Sequence, residues 1–196
     1  MANTVPSIAC LGVISRNNNP LHISIFPSYD NASNSYLPIR TPLQFSLLLS
    51  GTLDIFENRS KAASPQAPGS NSMLLSGDYG LLHAIDERLA AYGFETNTGV
   101  KFVAVVDMRG RGPNTTSGSS LGGMGGKGGT GVGLRDAELR PVFKAMQTAY
   151  VHLLQNPFYD PDEGGPGKAK RITSKRFAED IRRIGEVWAP GVTTGL

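Results

Sequence analysis

The chain has 196 residues, of which 39% are hydrophobic and 18% are charged, and its net charge is +3 at neutral pH. This length can bury one core and therefore suits one domain, and so mild a positive charge does not by itself indicate nucleic-acid binding. A single cysteine, Cys10, excludes an internal disulfide and favours a reducing compartment. No apolar run approaches the ~18 residues of a membrane span, and the N-terminus does not resemble a secretory signal. We therefore expect a cytoplasmic protein.

The N-terminal part of the chain predicts two strands and a helix. Ser7–Ser15 and Leu21–Pro27 are short apolar runs separated by turn residues, which is typical of a hairpin. Residues 28–40 are rich in Asn and Ser and predict a loop. Thr41, followed by a proline, predicts a helix start. The helix is expected over residues 42 to about 60, because apolar residues recur there at helical spacing: Phe45, Leu48, Leu49, Leu53 and Phe56.

Three strand-like runs come next, at Tyr79–Asp86, Leu89–Asn97 and Val100–Asp107. The residues between them have turn chemistry at hairpin spacing, so the runs predict adjacent antiparallel strands. The last run is the most continuously apolar, and we expect it to be a central strand.

A long helix is predicted over residues 139–154, where apolar residues again recur at helical spacing. Asp136 is its predicted N-cap. The Asn-Pro pair at residues 156–157 ends the helix, because a proline restricts the residue before it. We expect Phe158 and Tyr159, which follow, to fold back onto the core.

A last helix follows residues 160–170. Thr173 is its predicted N-cap, and Ile172 with Phe177 is predicted to form a hydrophobic staple. Four apolar residues at helical spacing define the face that this helix buries: Phe177, Ile181, Ile184 and Trp188.

The predicted elements have the order ββαβββαα. This order predicts an α+β fold, a three-layer sandwich with a five-stranded antiparallel sheet that carries one helix on one face and two on the other. We expect a single domain over residues 1–196, with disordered or flexible insertions at about 64–77, 110–133 and 160–170.

The glycine-rich insertion raises the question of a nucleotide site, since eleven of the 24 glycines lie between Gly110 and Gly133. A phosphate-binding loop around Lys127 would need a glycine at Leu121 and a Ser or Thr at Gly128, so the motif fails at both ends. The pattern G-x-G-x-x-G occurs, but composition alone explains it and no βαβ unit surrounds it. We therefore expect no nucleotide, cofactor or small-molecule ligand here. A small nucleotide-binding enzyme is the alternative that this segment leaves open.

No set of residues predicts catalysis or metal binding. His22, His83 and His152 are far apart in sequence and favour structural roles, and no nucleophile elbow is present. A C-terminal group of basic residues, diluted by three acids, favours at most a weak contact with an anionic membrane surface or an acidic partner. This basic group comprises Lys168, Lys170, Arg171, Lys175, Arg176, Arg182 and Arg183.

Asp54 is the candidate for a partner contact. It directly follows Leu53, at the edge of the apolar face of the first helix. A carboxylate at the edge of an apolar face can orient a subunit interface, although an exposed helix acid is the simpler interpretation. Our interface hypothesis comprises Asp54, Leu53 and Phe56.

Several segments together resemble the sedlin branch of the TRAPP (trafficking protein particle) subunits. The three most specific are YGFETNTGVKFVAVVD at residues 92–107, LRDAELRPVF at 134–143 and QNPFYDP at 155–161. The resemblance extends to IACLGVIS at residues 8–15, NPL at 19–21 and TLDIFEN at 52–58. It therefore covers nearly every predicted element.

This resemblance implies a longin-like fold, also called SNARE-like and related to profilin. It implies a non-catalytic subunit of a tethering complex that acts as a guanine-nucleotide exchange factor for Rab GTPases. The partners would be other TRAPP subunits and, indirectly, Rab GTPases, at Golgi and ER-to-Golgi membranes. The acid in the first helix of sedlin-like proteins lies near a partner interface and matches Asp54 here.

A free longin-domain regulator of SNAREs, or a protein similar to a coat adaptor, is the alternative of the same fold. The sequence departs from the compact family pattern in its enlarged loops, none of which interrupts a predicted element.

Overall fold

A computed structural model describes residues 5–30, 32–62, 77–111, 134, 136–161 and 171–191. Most of the three predicted insertions lies outside these ranges, at residues 64–76, 112–133 and 162–170. The described residues form a mixed α+β fold with a five-stranded antiparallel sheet and three α-helices.

The main sheet is built from five of the seven strands found in these ranges. In chain order the strands are β1 Val5–Ile14, β2 Pro20–Ile25, β3 Ser28–Asp30, β4 Ser35–Leu37, β5 Asp78–Ala84, β6 Leu89–Glu95 and β7 Lys101–Arg111. The main sheet has the order β2-β1-β7-β6-β5, and each neighbouring pair is antiparallel. β7 lies at the centre, as predicted, and its residues 102–106 are fully buried. Burial on both faces explains why β7 is continuously apolar rather than alternating.

Two sequence-based predictions about strands were wrong. Residues 28–40 are not simply a loop, because they contain the β3–β4 hairpin, in which Tyr29 pairs with Tyr36. Each strand of this hairpin has only three residues, too few for a periodicity to be recognised. β7 also continues beyond Asp107 to Arg111, so Gly110 belongs to the strand and not to the glycine-rich insertion.

The helices are α1 Pro42–Ala62, α2 Arg140–Leu154 and α3 Lys175–Val187. Thr41 caps α1 as predicted, through a reciprocal pair of hydrogen bonds with Gln44. The Thr41 Oγ1 accepts from the Gln44 N–H at 3.3 Å, and the Gln44 Oε1 accepts from the Thr41 N–H at 2.9 Å. This capping box satisfies backbone donors that the first helical turn leaves free.

The other two predicted caps were wrong by a few residues. Asp136 begins a short 3-10 turn, Asp136–Glu138, and Leu139 occupies the N-cap position of α2 without a side-chain cap. At α3 the cap is Ser174, whose hydroxyl accepts from the Phe177 N–H, so Thr173 lies outside the helix. Ile172 and Phe177 are therefore not placed for a staple, although both side chains join the core.

The two faces of the sheet are covered by different numbers of helices. α1 packs on one face through Phe45, Leu49 and Phe56, against small sheet residues that include Ala9, Cys10 and Ala91. The contact is close, because a Cβ added to Gly93 would lie 2.5 Å from Phe56 Cζ. α2 and α3 pack on the opposite face, over larger sheet side chains: Ile8, Leu11, Val13, Tyr92 and Phe102.

Of the two rings after α2 that were predicted to fold back onto the core, one does so and the other does not. Tyr159 is partly buried and packs against the core, as expected. Phe158 does not fold back, because its side chain is 94% exposed. The Asn156 side chain accepts a hydrogen bond from the Phe158 N–H, and the Asn156 C=O accepts from the Tyr159 N–H. This tight turn places the Tyr159 ring against the core and directs the Phe158 ring outward.

Candidate partner surface on the first helix

α1 carries a row of exposed residues along its outer side. Leu43, Leu47, Ser50 and Asp54 follow one another at intervals of four, three and four residues, so they lie on one side of the helix. Leu43 is 70% exposed and Leu47 is 64% exposed, while Asp54 is also exposed. We call these four residues the α1 stripe. The stripe has two apolar side chains at one end and, about three helical turns from Leu43, the carboxylate of Asp54 at the other end.

The opposite side of α1 explains why this stripe faces outward. Phe45, Leu49, Thr52 and Phe56 have the same spacing as the stripe, shifted by two residues, and all four are buried. The Thr52 hydroxyl donates to the Leu49 C=O at 2.7 Å, which lets this polar residue lie on the buried side. Close contact with the sheet fixes the rotation of α1 and hence the direction of the stripe.

A depression lies beside Leu43, at the first turn of α1. Its volume is about 530 Å³, and it lies between α1 and the edge strand β2, with Ile23 and Ile25 in its lining. Ile172 also lines it and donates its backbone N–H to the Leu21 C=O at 2.9 Å. The apolar end of the α1 stripe therefore continues into a concave surface of mixed character, whose lining also includes His22 and Arg171.

The turn between β5 and β6 holds the start of α1 in place. Asp86 accepts from Arg40 at 2.7 Å, just before α1 begins. Burial raises the pKa of Asp86, but hydrogen bonds from Arg40 and from the backbone N–H groups of Arg88 and Leu89 outweigh it and hold the pKa below its ordinary value. The local charges thus favour the ion pair that anchors this end of the helix.

Arg88, in the same turn, ties the β3–β4 hairpin to the main sheet. Its guanidinium donates to both carboxylate oxygens of Asp107 at 2.8–3.1 Å and to the Tyr29 C=O at 2.8 Å. Asp107 is fully buried, and its hydrogen bond raises the pKa of Arg88 above the ordinary value. Removing one partner of such a buried pair costs about 3–5 kcal/mol.

The predicted interface residues fall into three different environments. Asp54 is exposed, Leu53 is half-buried at the side of the helix, and Phe56 is fully buried. Phe56 therefore belongs to the core rather than to a surface that a partner could contact. Leu43 and Leu47 were missed, although a signal was present. Their spacing of four residues is out of phase with the buried stripe, which identifies an apolar pair on the outer side.

The other predicted candidates show no reactive arrangement. His22 is hydrogen-bonded to Ser24 at 2.8 Å, and burial lowers its pKa. Within the described ranges, no three His, Cys, Asp or Glu side chains come close enough together to hold a metal ion. The same ranges contain no helix that is long and apolar enough to span a membrane. The segment around Lys127 lies outside the described residues.

The structure divides the basic C-terminal group. Arg176 and Arg183 line a groove between α2 and α3, and Arg171 lines the depression beside Leu43. Arg182 forms an ion pair with Glu186 at 3.9 Å on the outer side of α3. Lys168 and Lys170 lie outside the described residues. The described members of the group therefore do not share one surface.

Comparison with known proteins identifies the family. The sedlin family model matches residues 13–187. A trafficking protein particle complex subunit 2-like protein of Dictyostelium discoideum is 28% identical over 178 residues, which cover 90% of this chain and 95% of that protein. Proteins of the same name from Bos taurus and Xenopus tropicalis are 26% and 27% identical, over 86% and 79% of this chain and 89% and 84% of their own lengths. The chain belongs to the sedlin family.

Proposed function

We propose that this chain is a non-catalytic subunit of a TRAPP complex and that it joins the complex through the α1 stripe. Membership of the sedlin family supports this role, as do relatives named as TRAPP complex subunit 2-like proteins that align over most of the chain. The α+β architecture, with one helix on one face of the sheet and two on the other, supports a longin-like fold over residues 1–196. The insertions at about 64–77, 110–133 and 160–170 would extend this domain.

The wider role follows from that of the complex. The subunit would act in assembly of a tethering and Rab guanine-nucleotide exchange complex in ER-to-Golgi and intra-Golgi transport. It would be cytoplasmic and peripheral at these membranes. Rab GTPases would be reached indirectly, through other subunits.

One observation carries the choice of surface: the outward exposure of Leu43 and Leu47 on an ordered helix. Fully burying a leucine side chain is worth about 1.5–3 kcal/mol, so two adjacent leucines can anchor a partner at the centre of an interface. Asp54, at the polar end of the stripe, would set the orientation by pairing with a cation of the partner. Leu53, half-buried beside the stripe, would contribute at its rim.

Affinity purification tests this role, with the tagged full chain expressed in its own cells and the co-purifying proteins quantified by mass spectrometry. We expect near-stoichiometric recovery of other TRAPP subunits with the wild-type chain. Leu43→Ser/Leu47→Ser should reduce the recovery about tenfold or more, since each lost leucine contact is worth about a factor of ten. Asp54→Tyr should reduce it as well, because a large ring would displace the charge at the rim.

The matched control is Val151→Ser/Leu154→Ser, which removes two exposed apolar side chains from another helix. It should leave recovery of the subunits unchanged. Equal recovery with the α1 double variant would exclude the stripe as the interface. Recovery of SNAREs or coat components in place of TRAPP subunits would favour the alternative longin-domain role.

A further inference from the structure

A groove runs between α2 and α3, on the opposite side of the sheet from the α1 stripe. Its main part has a volume of about 580 Å³, and it continues into a second part of about 290 Å³. The two parts share Ala149, His152, Arg176 and Asp180 in their linings. We call the combined feature the α2–α3 groove.

The groove has a marked excess of positive charge. Among the described residues, its lining contains four basic side chains, Arg140 and Lys144 from α2 and Arg176 and Arg183 from α3. Asp180 is the one carboxylate among the described residues of this lining, and Arg183 donates to it at 3.4 Å. The cations come from both helices, so a ligand in the groove would meet positive charge on both sides.

The floor of the groove is apolar and mostly made of small residues. Ala149 and Ile184 are buried there and Pro141 and Ala145 are half-buried, while Ala137 lines the groove at an exposed position. Small side chains let the backbone of a ligand approach closely, and the apolar floor rewards a ligand that also presents apolar groups. The surface thus combines an apolar floor with cationic walls.

The dimensions of the groove suit a peptide segment. The lining of the main part extends over residues 140–152 of α2, thirteen residues and twelve helical steps, which corresponds to about 18 Å at 1.5 Å per residue. This length would accommodate roughly five residues of an extended chain or roughly twelve residues of a helix.

Apolar contacts hold the two helices together. α2 and α3 share the large buried core on that face of the sheet, and the rings of Tyr150 and Phe177 meet edge to face at 6.5 Å. Lys144 and Arg176 are both exposed at the groove. The positions of Lys144 on α2 and Arg176 on α3 therefore have no evident role in helix packing.

We propose that the α2–α3 groove binds an acidic, partly apolar segment of a partner protein. The positive walls complement carboxylates, and the apolar floor complements short aliphatic side chains. A membrane surface fits less well, because the cations line a concave groove, whereas a bilayer presents anionic groups in a plane. This binding site is separate from the α1 stripe and does not depend on the role proposed for that stripe.

A peptide selection tests the proposal directly. Random peptides of roughly 12 residues, the length of the groove, are displayed on phage and selected against the full chain. Affinities of the enriched peptides are then measured by fluorescence anisotropy. We expect peptides enriched in Asp and Glu, and we expect Lys144→Glu/Arg176→Glu to weaken their binding by about tenfold or more, since each exposed pair contributes up to about a factor of five.

The matched control is Lys175→Glu/Arg182→Glu, which changes the net charge equally at two exposed α3 residues that do not line the groove. It should retain the affinity within about threefold, because the charges it alters lie on the outer side of the helix. Circular dichroism confirms that each variant is folded, and Lys144→Gln/Arg176→Gln repeats the test without charge reversal.

Three outcomes would overturn the proposal. The first is enrichment of peptides without an acidic bias. The second is an equal loss of affinity in the groove variant and the control variant, which would indicate a general charge effect. The third is an absence of peptide binding while vesicles with roughly 30% phosphatidylserine bind the wild type and not the groove variant, which would assign the groove to an anionic membrane.

Discussion

The two helical layers of this protein leave different surfaces for other molecules. Among the described residues, α1 is the one helix on its face of the sheet, and its outer side presents Leu43 and Leu47 to solvent. α2 and α3 share the other face, and the space between them forms a groove with cationic walls. A lone helix has one buried side and one free side, whereas a pair of helices adds a cleft where they meet.

The difference begins in the sheet. Below α1 the sheet presents small residues such as Ala9, Ala91 and Gly93, which let one helix approach closely and reach both neighbouring strands. On the other face, aromatic side chains such as Tyr92 and Phe102 pack against the layer that α2 and α3 share. The sheet residues thus set how closely a helix approaches each face, and the helices then determine which chemistry is exposed.

The largest expected effect comes from breaking the two-helix layer at Trp188. This residue ends α3 fully buried, and its indole N–H donates to the Glu138 C=O at 3.2 Å. Trp188→Ala should lower the free energy of unfolding by about 3–5 kcal/mol, as expected for a large side chain removed from a core. Urea unfolding measures this loss of stability. The unfolding is followed by circular dichroism rather than by tryptophan fluorescence, because the variant lacks the one tryptophan of the chain.

Trp188→Phe serves as the control, because it keeps an aromatic ring but loses the hydrogen bond to Glu138. Its cost should be clearly smaller than that of the alanine variant. A loss below about 1 kcal/mol for Trp188→Ala would mean that the end of α3 is not part of the cooperative core.

The reactivity of Cys10 measures how often the core between α1 and the sheet opens to solvent. Burial raises the pKa of its thiol from 9.0 to about 12, so the reactive thiolate is scarce at neutral pH. We expect a thiol reagent at pH 8 to label the native protein at least roughly a hundredfold more slowly than the urea-unfolded protein, because labelling requires opening of the structure. Fast labelling of the native protein would show that α1 opens separately from the rest.

The same pKa sets a pH dependence of stability. The folded pKa lies above the ordinary value, so the contribution of Cys10 is fully present below pH 9.0 and is lost as pH rises toward about 12. The free energy of unfolding of the wild type should therefore fall more steeply above pH 9 than that of Cys10→Ala. Parallel pH profiles for the two proteins would contradict this linkage.

The smallest effects are expected at the end of α2, where two adjacent rings are placed oppositely. The Tyr159 hydroxyl is buried without a hydrogen-bond partner among the described residues, and burial, followed by the charges of Tyr150 and Asp160, raises its pKa to about 12. Tyr159→Phe should be neutral or up to about 1 kcal/mol stabilising, since it removes an unsatisfied polar group. Phe158→Ser should change stability by less than about 0.5 kcal/mol.

Urea midpoints of the two variants and the wild type decide this comparison. A loss of more than about 1 kcal/mol in Tyr159→Phe would show that the hydroxyl is hydrogen-bonded after all. A similar loss in Phe158→Ser would place that ring in the core, as the sequence predicted.

The elements that bury many residues could be predicted from sequence. The continuous apolar run of β7 and the helical spacing of α1 and α2 are strong signals, because burial dictates residue type at every position of a strand covered on both faces and at every third to fourth position of a helix. Details set by one or two hydrogen bonds could not be predicted. The choice of Ser174 over Thr173 as a cap and the outward turn of Phe158 depend on local geometry that residue types alone leave open.

The candidate surfaces were predictable to different degrees. Asp54 was identified from its place at the edge of the apolar face of the first helix and then matched through a resemblance, and Leu43 and Leu47 could have been found from their phase on the helix. The α2–α3 groove could not, because Lys144 and Arg176 are 32 residues apart in the chain and become neighbours only when the two helices pack. Contacts between elements depend on the tertiary structure, which periodicity does not encode.

The turn that contains Asp86 and Arg88 has a genetic consequence. Asp86 holds Arg40 at the start of α1, while Arg88 holds both the β3–β4 hairpin and the buried Asp107. An allele that replaces Arg88 would therefore leave the buried Asp107 without its guanidinium partner and would destabilise the sheet on which α1 packs, without altering any residue of the stripe. In a screen for lost complex assembly, alleles of Arg88 and Leu43 would share one phenotype. The amount of folded protein in the cell would tell them apart, since Arg88 alleles would lower it and Leu43 alleles would not.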